Sequence, residues 1–168
     1  IIWAGTDDGH VQVTTDYGHT WKDVTSALAE AGAPANMWVS RVFPSGFEAG
    51  RAYVSKSGYT DDIMDPHVYV TNDFGQTWKK ITNGLPGYPV SVVIEDRSNP
   101  DLLFAGNDNG VWVSLNRGEN WESMSSNLPP VVVRDMMIHP RENDLIVGTY
   151  GRAAWITDIS PLQQLTPE

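Results

Sequence analysis

The sequence predicts an all-β fold, on two observations. The first is an eight-residue segment, residues 14–21, that returns nearly unchanged at 71–78 and in a weaker form at 114–121. The second is spacing: the aligned starts of the repeats are 57, 43 and 43 residues apart, at Thr14, Thr71, Ser114 and Thr157. A period of roughly 40–50 residues is the length of one four-stranded blade of a β-propeller. We therefore expect a β-propeller segment of four-stranded antiparallel blades.

The strands recur in a fixed order within each repeat. The innermost strand is almost continuously apolar, as in Pro89–Ile94, because both of its faces are buried. The second strand ends in a glycine turn, as in Leu103–Asn107, and the third alternates, as in Val111–Val113. The fourth starts at the tryptophan that closes the repeated segment, as in Trp121–Met124. Residues Ser26–Ala31 indicate a helical turn.

The strand count predicts about three and a half blades: the last three strands of one blade, two complete blades, and the first three strands of another. The two incomplete blades hold six strands and cannot merge into one, and an open arc exposes apolar sheet faces. We therefore expect a part of a larger propeller, completed by further sequence or by a partner chain. The predicted divisions are a partial blade 1–25, a blade 38–82, a blade 89–125, a partial closing blade 130–160 and a tail 161–168.

Composition excludes several classes of function. Eleven Lys and Arg against 21 Asp and Glu give a net charge of −10, which works against binding to nucleic acid. No apolar run reaches the ~18 residues of a membrane-spanning helix. The absence of cysteine excludes disulfides and cysteine-based metal sites, and no motif requires a cofactor. The first residues lack an initiator Met and a basic leader, which is consistent with a removed signal peptide or a start within a longer protein.

The repeated segment has the chemistry of a structural turn. Its Asp or Asn can accept hydrogen bonds from backbone N–H groups ahead of it, its Gly can adopt positive φ, and its Trp can pin the hairpin to the sheet beneath. We therefore interpret the repeated acids as turn residues rather than catalytic groups. The residues assigned to this structural role are Thr14, Asp16, Gly18, Trp21, Thr71, Asp73, Gly75, Trp78, Ser114, Asn116, Gly118 and Trp121.

These segments resemble the Asp-box of BNR repeats, which occurs in sialidases, xyloglucanase-type glycosidases and sortilin/VPS10 propellers. The end of the chain, with Leu128-Pro129-Pro130, Val133-Arg134-Asp135, Gly151-Arg152 and Trp155, resembles the closing blade of large bacterial sortilin-like BNR-repeat proteins. In those proteins, the usual sequence at this point is Gly-Thr-His-Gly-Arg, and here Tyr150 replaces the His. The resemblance implies a secreted, periplasmic or cell-surface protein, and fold analogy alone does not establish an activity.

A candidate binding face lies opposite the Asp-boxes, because antiparallel connectivity puts the turns between second and third strands there. This face is expected to carry the longest insertion, Ser57–His67, which we predict to be a loop, since function on rigid scaffolds tends to sit in loops. Other candidates near this face or the central channel are Asp7, Asp8, Asp108, Arg134, Tyr150 and Arg152.

Two hypotheses for function follow. The first is a non-catalytic module for protein binding or scaffolding, whose partners are other propeller blades or partner chains. The alternative is a part of a xyloglucanase-type glycoside hydrolase acting on polysaccharide, for which a pair of carboxylates would serve as acid and base. The weak catalytic candidates are Asp7, Asp8 and Asp61.

Two further sites can be weighed from the sequence. Asp61, Asp62 and Asp65 could bind Ca²⁺, but their spacing does not match the twelve-residue calcium loop, and solvated loop acids are the favoured interpretation. Arg134 and Arg152 could neutralise an anionic ligand or could satisfy carbonyls and carboxylates near the channel; the second role is favoured. The scattered arginines do not form the cluster of three that a sialidase requires.

Overall fold

The computed structural model describes residues 1–124 and 127–165, and over these residues it confirms the all-β prediction. The strands form four antiparallel sheets, which we call sheets I to IV in chain order. Sheet I contains β1 (Ile2–Gly5), β2 (Val11–Thr14) and β3 (Lys22–Asp23). Sheet II contains β4 (Val39–Pro44), β5 (Ala52–Gly58), β6 (Ile63–Thr71) and β7 (Lys79–Lys80).

Sheets III and IV continue the same pattern along the chain. Sheet III contains β8 (Val90–Glu95), β9 (Leu103–Asn107), β10 (Gly110–Ser114) and β11 (Glu122–Ser123). Sheet IV contains β12 (Val133–Ile138), β13 (Asp144–Thr149) and β14 (Ala154–Asp158). In every sheet, strands that are consecutive in sequence are hydrogen-bonded neighbours. Two short helices complete the described fold, α1 (Thr25–Glu30) and α2 (Ser160–Gln163), and neither is long and apolar enough to cross a membrane.

Three hydrophobic clusters lie between consecutive sheets. One joins sheets I and II through Val11, Val24 and Tyr69, among others. The cluster between sheets II and III includes Tyr53, Ile81 and Trp121, and the cluster between sheets III and IV includes Phe104 and Leu145. Sheets II and III therefore each bury one face against the sheet before and the other against the sheet after, as stacked structural repeats do.

The expected loop at Ser57–His67 is wrong. Most of this segment extends the hairpin of sheet II, with Lys56 paired to His67, Gly58 paired to Ile63, and a short 3-10 turn at Tyr59–Asp61. Two polar side chains at the base of this hairpin, Lys56 and His67, are buried, whereas Asp61, Asp62 and Asp65 nearer its tip are exposed. The Lys56 Nζ donates to the carbonyl oxygen of Pro34 at 2.6 Å, and the His67 imidazole is only 6% exposed.

The innermost strands of sheets II, III and IV each contain a one-residue bulge near their start. The register shifts between residues 39 and 41, 90 and 92, and 133 and 135, so the extra residues are Ser40, Ser91 and Arg134. A bulge changes the direction in which a side chain projects. The Ser40 hydroxyl donates to the carbonyl oxygen of Val90 at 2.9 Å and links two sheets. The third bulge instead presents the long cationic side chain of Arg134.

Candidate functional site

The Asp-box carboxylates are used by their own turns. The Asp16 Oδ1 accepts hydrogen bonds from the Thr14 hydroxyl at 2.7 Å and the Thr20 N–H at 2.9 Å, and its Oδ2 accepts from the Thr20 hydroxyl at 2.6 Å. These bonds, led by the one from the Thr20 hydroxyl, lower the pKa of Asp16 to about 2. Asp73 and Asn116 accept equivalent bonds in the second and third boxes.

The Asp-box tryptophans differ in their packing. Trp121 is 3% exposed, packs between sheets II and III, and donates from its indole N–H to the carbonyl oxygen of Ile81 at 2.8 Å. Trp21 is 43% exposed, so the expectation that it pins its hairpin to a sheet is not met in the described residues. The physical reason is position: the partner of each box tryptophan is the sheet before it, and sheet I follows no other described sheet.

The most distinctive group on the face opposite the boxes surrounds Arg134. Its guanidinium carbon lies 4.8 Å from the ring centroid of Tyr59 and 5.8 Å from that of Tyr150. Both distances are within the range of cation–π attraction. Tyr59 comes from the hairpin tip of sheet II, and Tyr150 follows β13 of sheet IV. Both rings are exposed, Tyr59 at 52% and Tyr150 at 73%.

Asp108, in the β9–β10 turn of sheet III, completes this group. Burial raises the pKa of Asp108 above its ordinary value, and the attraction of Arg134 offsets part of that effect. Its Oδ1 is buried and has no hydrogen-bond partner among the described residues. We call Tyr59, Asp108, Arg134 and Tyr150 the Arg134 cluster. Three sheets contribute to it.

The described residues do not show the favoured hydrogen bonds of Arg134 and Arg152 to carbonyls and carboxylates. Within residues 1–124 and 127–165, neither guanidinium donates a hydrogen bond to a carbonyl or forms an ion pair with a carboxylate. Arg134 is instead held by aromatic rings, which leaves its N–H edge free, and Arg152 is exposed. The ion pair near the channel joins Arg41 of β4 to Asp135 of β12, two residues that sequence reasoning missed. They are 94 residues apart, and no local pattern connects them.

The candidate catalytic acids lie in turns of two neighbouring sheets. Asp7 and Asp8 lie in the β1–β2 turn, where the Asp8 carboxylate accepts a hydrogen bond from the Thr6 hydroxyl that lowers its pKa. Asp61 lies in the 3-10 turn of sheet II. In the part of the chain that the structure describes, no three acidic or histidine side chains come close enough to hold a metal ion.

Sequence reasoning also missed Tyr59 as a site residue. It was counted within the insertion but was not distinguished from its neighbours. The sequence signal for it is an aromatic residue that directly follows Gly58 within the longest insertion.

Comparison with known proteins identifies the family. The family model described as "Sortilin, neurotensin receptor 3" (Sortilin-Vps10) matches residues 66–159, which is more than half of the chain. The chain belongs to the Sortilin-Vps10 family. Sortilin of Rattus norvegicus is 28% identical over 114 residues, which are 65% of this chain and 13% of that protein. A vacuolar protein sorting/targeting protein 10 of Laccaria bicolor is 32% identical over 80 residues, 46% of this chain and 5% of that protein. The chain thus spans a small part of the relatives it matches.

Solved structures show the fold of this Sortilin-Vps10 chain. A GH74 xyloglucanase from Xanthomonas campestris superposes with a TM-score of 0.68 at 17% identity, over 93% of this chain and 25% of the enzyme. A structure described as YCF48 bound to D1 peptide superposes with a TM-score of 0.66 at 17% identity, over 94% of this chain and 47% of YCF48. At these identities the likeness shows the fold alone. The prediction of a β-propeller segment with about three and a half blades is confirmed.

Proposed function

We propose that this chain is a protein-binding propeller module, and that its Arg134 cluster binds an anionic group of an extended peptide. The observation that carries the proposal is the Arg134 guanidinium, which lies between two exposed tyrosine rings with its N–H donors unused by the described residues. The planar guanidinium fork matches a carboxylate and can donate two parallel hydrogen bonds to it. In a chain of net charge −10, such a cation is a local exception.

The neighbours of Arg134 favour a peptide over a free anion. The outer faces of Tyr59 and Tyr150 offer apolar area for side chains beside the anionic group. The unpartnered Oδ1 of Asp108 can accept a hydrogen bond from a peptide N–H, which would relieve the cost of burying it. Membership in the Sortilin-Vps10 family and the likeness to YCF48 bound to D1 peptide support this choice.

A peptide array tests the proposal. Short peptides are prepared as free carboxylates and as C-terminal amides, and their binding to the chain is measured by fluorescence polarisation. We expect free-acid peptides to bind at least tenfold more tightly than their amides, and Arg134→Gln to abolish that difference. Arg97→Gln is the matched control, because Arg97 is an exposed arginine that follows the last residues of β8 and lies outside the Arg134 cluster. Equal binding of acids and amides, or an effect of Arg97→Gln as large as that of Arg134→Gln, would rule the site out.

The cellular location of the protein is part of the same proposal. We infer a secreted or cell-envelope module, on the resemblance of its Asp-boxes to those of BNR-repeat proteins. Protease accessibility on intact cells tests this inference. Digestion before lysis supports it, and protection until lysis contradicts it.

The second candidate is a part of a glycoside hydrolase that cleaves polysaccharide. The likeness to a GH74 xyloglucanase favours it. The lowered pKa of Asp8 suits a base or nucleophile, which requires a second carboxylate at roughly 5–9.5 Å. Sugar release from xyloglucan, measured with Asp7→Asn, Asp8→Asn and Asp61→Asn, tests this function. Activity of the full-length protein that survives all three substitutions would exclude these residues as its catalytic groups, and a full-length protein without activity would exclude this function.

A further inference from the structure

A pocket of about 160 Å³ lies between the two four-stranded sheets, II and III, at the end where their Asp-boxes stand. Three cationic side chains line it: Arg51 before β5, Lys79 at the start of β7, and Arg117 in the third Asp-box. They are three of the eleven lysines and arginines in a chain of net charge −10. Val70 and Ile81 supply an apolar wall. We call this site the Arg51 pocket.

Arg51 has hydrogen-bonding capacity that the fold does not use. The residue is 7% exposed, and its Nη1 is buried without a hydrogen-bond partner among the described residues. Its Nε donates to the Asn72 Oδ1 at 2.6 Å, and its Nη2 pairs with the Glu48 Oε1 at 2.9 Å, so the guanidinium is held in place from two sides. A buried cationic donor without an acceptor is unfavourable, and an oxyanion in the pocket would supply the acceptor.

Comparison of the repeats shows that the fold does not require a cation at either arginine position. In sheet III the strand register puts Leu102 in the place of Arg51, and Leu102 is fully buried. Tyr17 and Phe74 take the place of Arg117 in the first two Asp-boxes, and all three residues adopt positive φ. The same backbone therefore forms with an aliphatic residue in one place and an aromatic residue in the other. The two arginines are specific to the space between sheets II and III.

Acidic side chains accompany the cations but leave donors available. The Glu48 Oε1 that pairs with the buried guanidinium also lies 3.9 Å from the Arg117 Nη1, and the Glu119 Oε1 lies 3.8 Å from the Lys79 Nζ. Asp101 accepts a hydrogen bond from the Arg117 Nε, and both Nη atoms of that arginine donate none among the described residues. The Glu48 and Glu119 side chains are 47% and 65% exposed, so these two ion pairs are weak and both carboxylates can turn towards water.

We propose that the Arg51 pocket binds the phosphate group of a small phosphate monoester. Two guanidiniums and one ammonium from three separate segments line the space, and a phosphate has the charge and the oxygen acceptors to use all three. A carboxylate has two oxygens, which one guanidinium fork already satisfies. The organic group of the ester lies on Val70 and Ile81, and Glu48 competes with the phosphate for both guanidiniums. The site is separate from the Arg134 cluster on the opposite face.

Titration of the whole 168-residue chain with three small anions tests the proposal. Phenyl phosphate, inorganic phosphate and benzoate are added to isotope-labelled protein at neutral pH and fixed ionic strength, and dissociation constants are taken from the amide NMR shifts. We expect phenyl phosphate to bind at least tenfold more tightly than benzoate, with the largest shifts around Arg51, Lys79 and Arg117. Benzoate that binds as tightly, or shifts that fall elsewhere, would overturn the proposal. Inorganic phosphate should bind more weakly than phenyl phosphate, and equal binding of the two would overturn the assignment to a monoester.

Substitutions of the two more exposed cations locate the phosphate. Lys79→Gln and Arg117→Gln should each weaken the binding of phenyl phosphate at least fivefold, and circular dichroism checks the fold of each variant. Lys22→Gln is the matched control, because Lys22 follows the first box tryptophan as Lys79 follows the second. We expect it to bind within about twofold of the parent chain. A folded Arg117→Gln variant with the parent affinity, or an equal loss from Lys22→Gln, would contradict binding in this pocket.

Removal of the competing carboxylate should have the opposite effect. Glu48→Gln takes a negative charge away from the two guanidiniums, so phenyl phosphate should bind at least threefold more tightly to this variant. Glu30→Gln removes an exposed acid at the end of α1, outside the pocket, and should leave the affinity within about twofold of the parent chain. An unchanged or lower affinity of Glu48→Gln, or an equal gain from Glu30→Gln, would show that the phosphate does not bind to these arginines and would overturn the proposal.

Discussion

The first and third Asp-boxes have the same turn but different surroundings. In both, the Asp or Asn side chain accepts one hydrogen bond from the hydroxyl two residues earlier and one from the backbone N–H four residues ahead. Trp121 of the third box is nevertheless 3% exposed, whereas Trp21 of the first is 43% exposed. The glycines show the same contrast: a Cβ on Gly118 would meet the Ile81 side chain at 2.6 Å, and a Cβ on Gly18 would meet no other sheet.

The difference separates two functions of one motif. Its hydroxyl, carboxylate and backbone groups close the turn locally, wherever the turn stands. Its tryptophan and glycine act between sheets and need the preceding sheet as a partner.

The largest expected difference is between the two tryptophans. Trp121→Ala should lower the free energy of unfolding by about 3–5 kcal/mol, because it leaves a cavity between sheets II and III. Trp21→Ala should cost about 1 kcal/mol, since much of the ring is already in water. Urea denaturation of both variants measures the two values. Equal losses would show that the tryptophan acts within its own turn.

A buried histidine tests packing through pH. Burial lowers the pKa of His67 to about 4, below its ordinary value of 6.5. The folded state therefore prefers the neutral ring, and the stability that this preference represents is present above pH 6.5 and lost as pH falls towards 4. At about 1.4 kcal/mol per pKa unit, the loss reaches about 3 kcal/mol. His67→Gln should weaken the dependence of the denaturation midpoint on pH between pH 6.5 and 4. An unchanged pH dependence would contradict the burial of His67.

The glycine pair should show a smaller contrast. Gly18 and Gly75 both adopt positive φ, so alanine strains the backbone similarly in each, at about 1–2 kcal/mol. At Gly75 the added Cβ would also lie 2.9 Å from three side-chain carbons of Val24, a β-branched residue that cannot rotate away. We expect Gly75→Ala to cost about 1–3 kcal/mol more than Gly18→Ala in thermal or urea unfolding. Matching costs would contradict the contact between sheets.

The smallest expected effect concerns the turn itself. The pKa of Asp16 is lowered to about 2, so its carboxylate stabilises the fold above its ordinary pKa of 3.8, and this contribution is lost as pH falls towards 2. Asp16→Asn should reduce the loss of unfolding free energy between pH 4 and 2. It should preserve the turn, because Asn116 closes the same turn in the third box. Asn116→Asp should introduce a dependence of the same sign. Opposite signs in the two boxes would show that the turn chemistry is not shared.

The sequence predicted what is local and repeated. The strand order, the incomplete blades and the helical turn after β3 follow from alternation, box spacing and turn residues, and the structure confirms them. The hairpin of sheet II was missed because two of its polar residues are buried: the Lys56 Nζ donates to the carbonyl oxygen of Pro34, and the His67 ring stacks on that of Tyr69, which itself donates to the Gly32 carbonyl oxygen. Propensity cannot report such tertiary contacts.

The candidate site was predicted only in part. Loop positions placed Asp108 and Tyr150 in turns, where the structure has them, but did not indicate which residues meet there. Arg134 reaches Tyr59 because a bulge redirects it, and a one-residue bulge leaves no mark in the apolar pattern of β12. Its ring partners come from segments 75 and 16 residues away. Sequence spacing alone could not bring them together.

A double-mutant cycle between Trp121 and Ile81 tests most directly the claim that box tryptophans act between sheets. Ile81→Ala keeps the backbone carbonyl that accepts the indole N–H, so the cycle reports side-chain packing. We predict a coupling energy of about 1 kcal/mol or more, against a value near zero for Trp21 with Ile81. Additive losses for Trp121 and Ile81 would contradict the account.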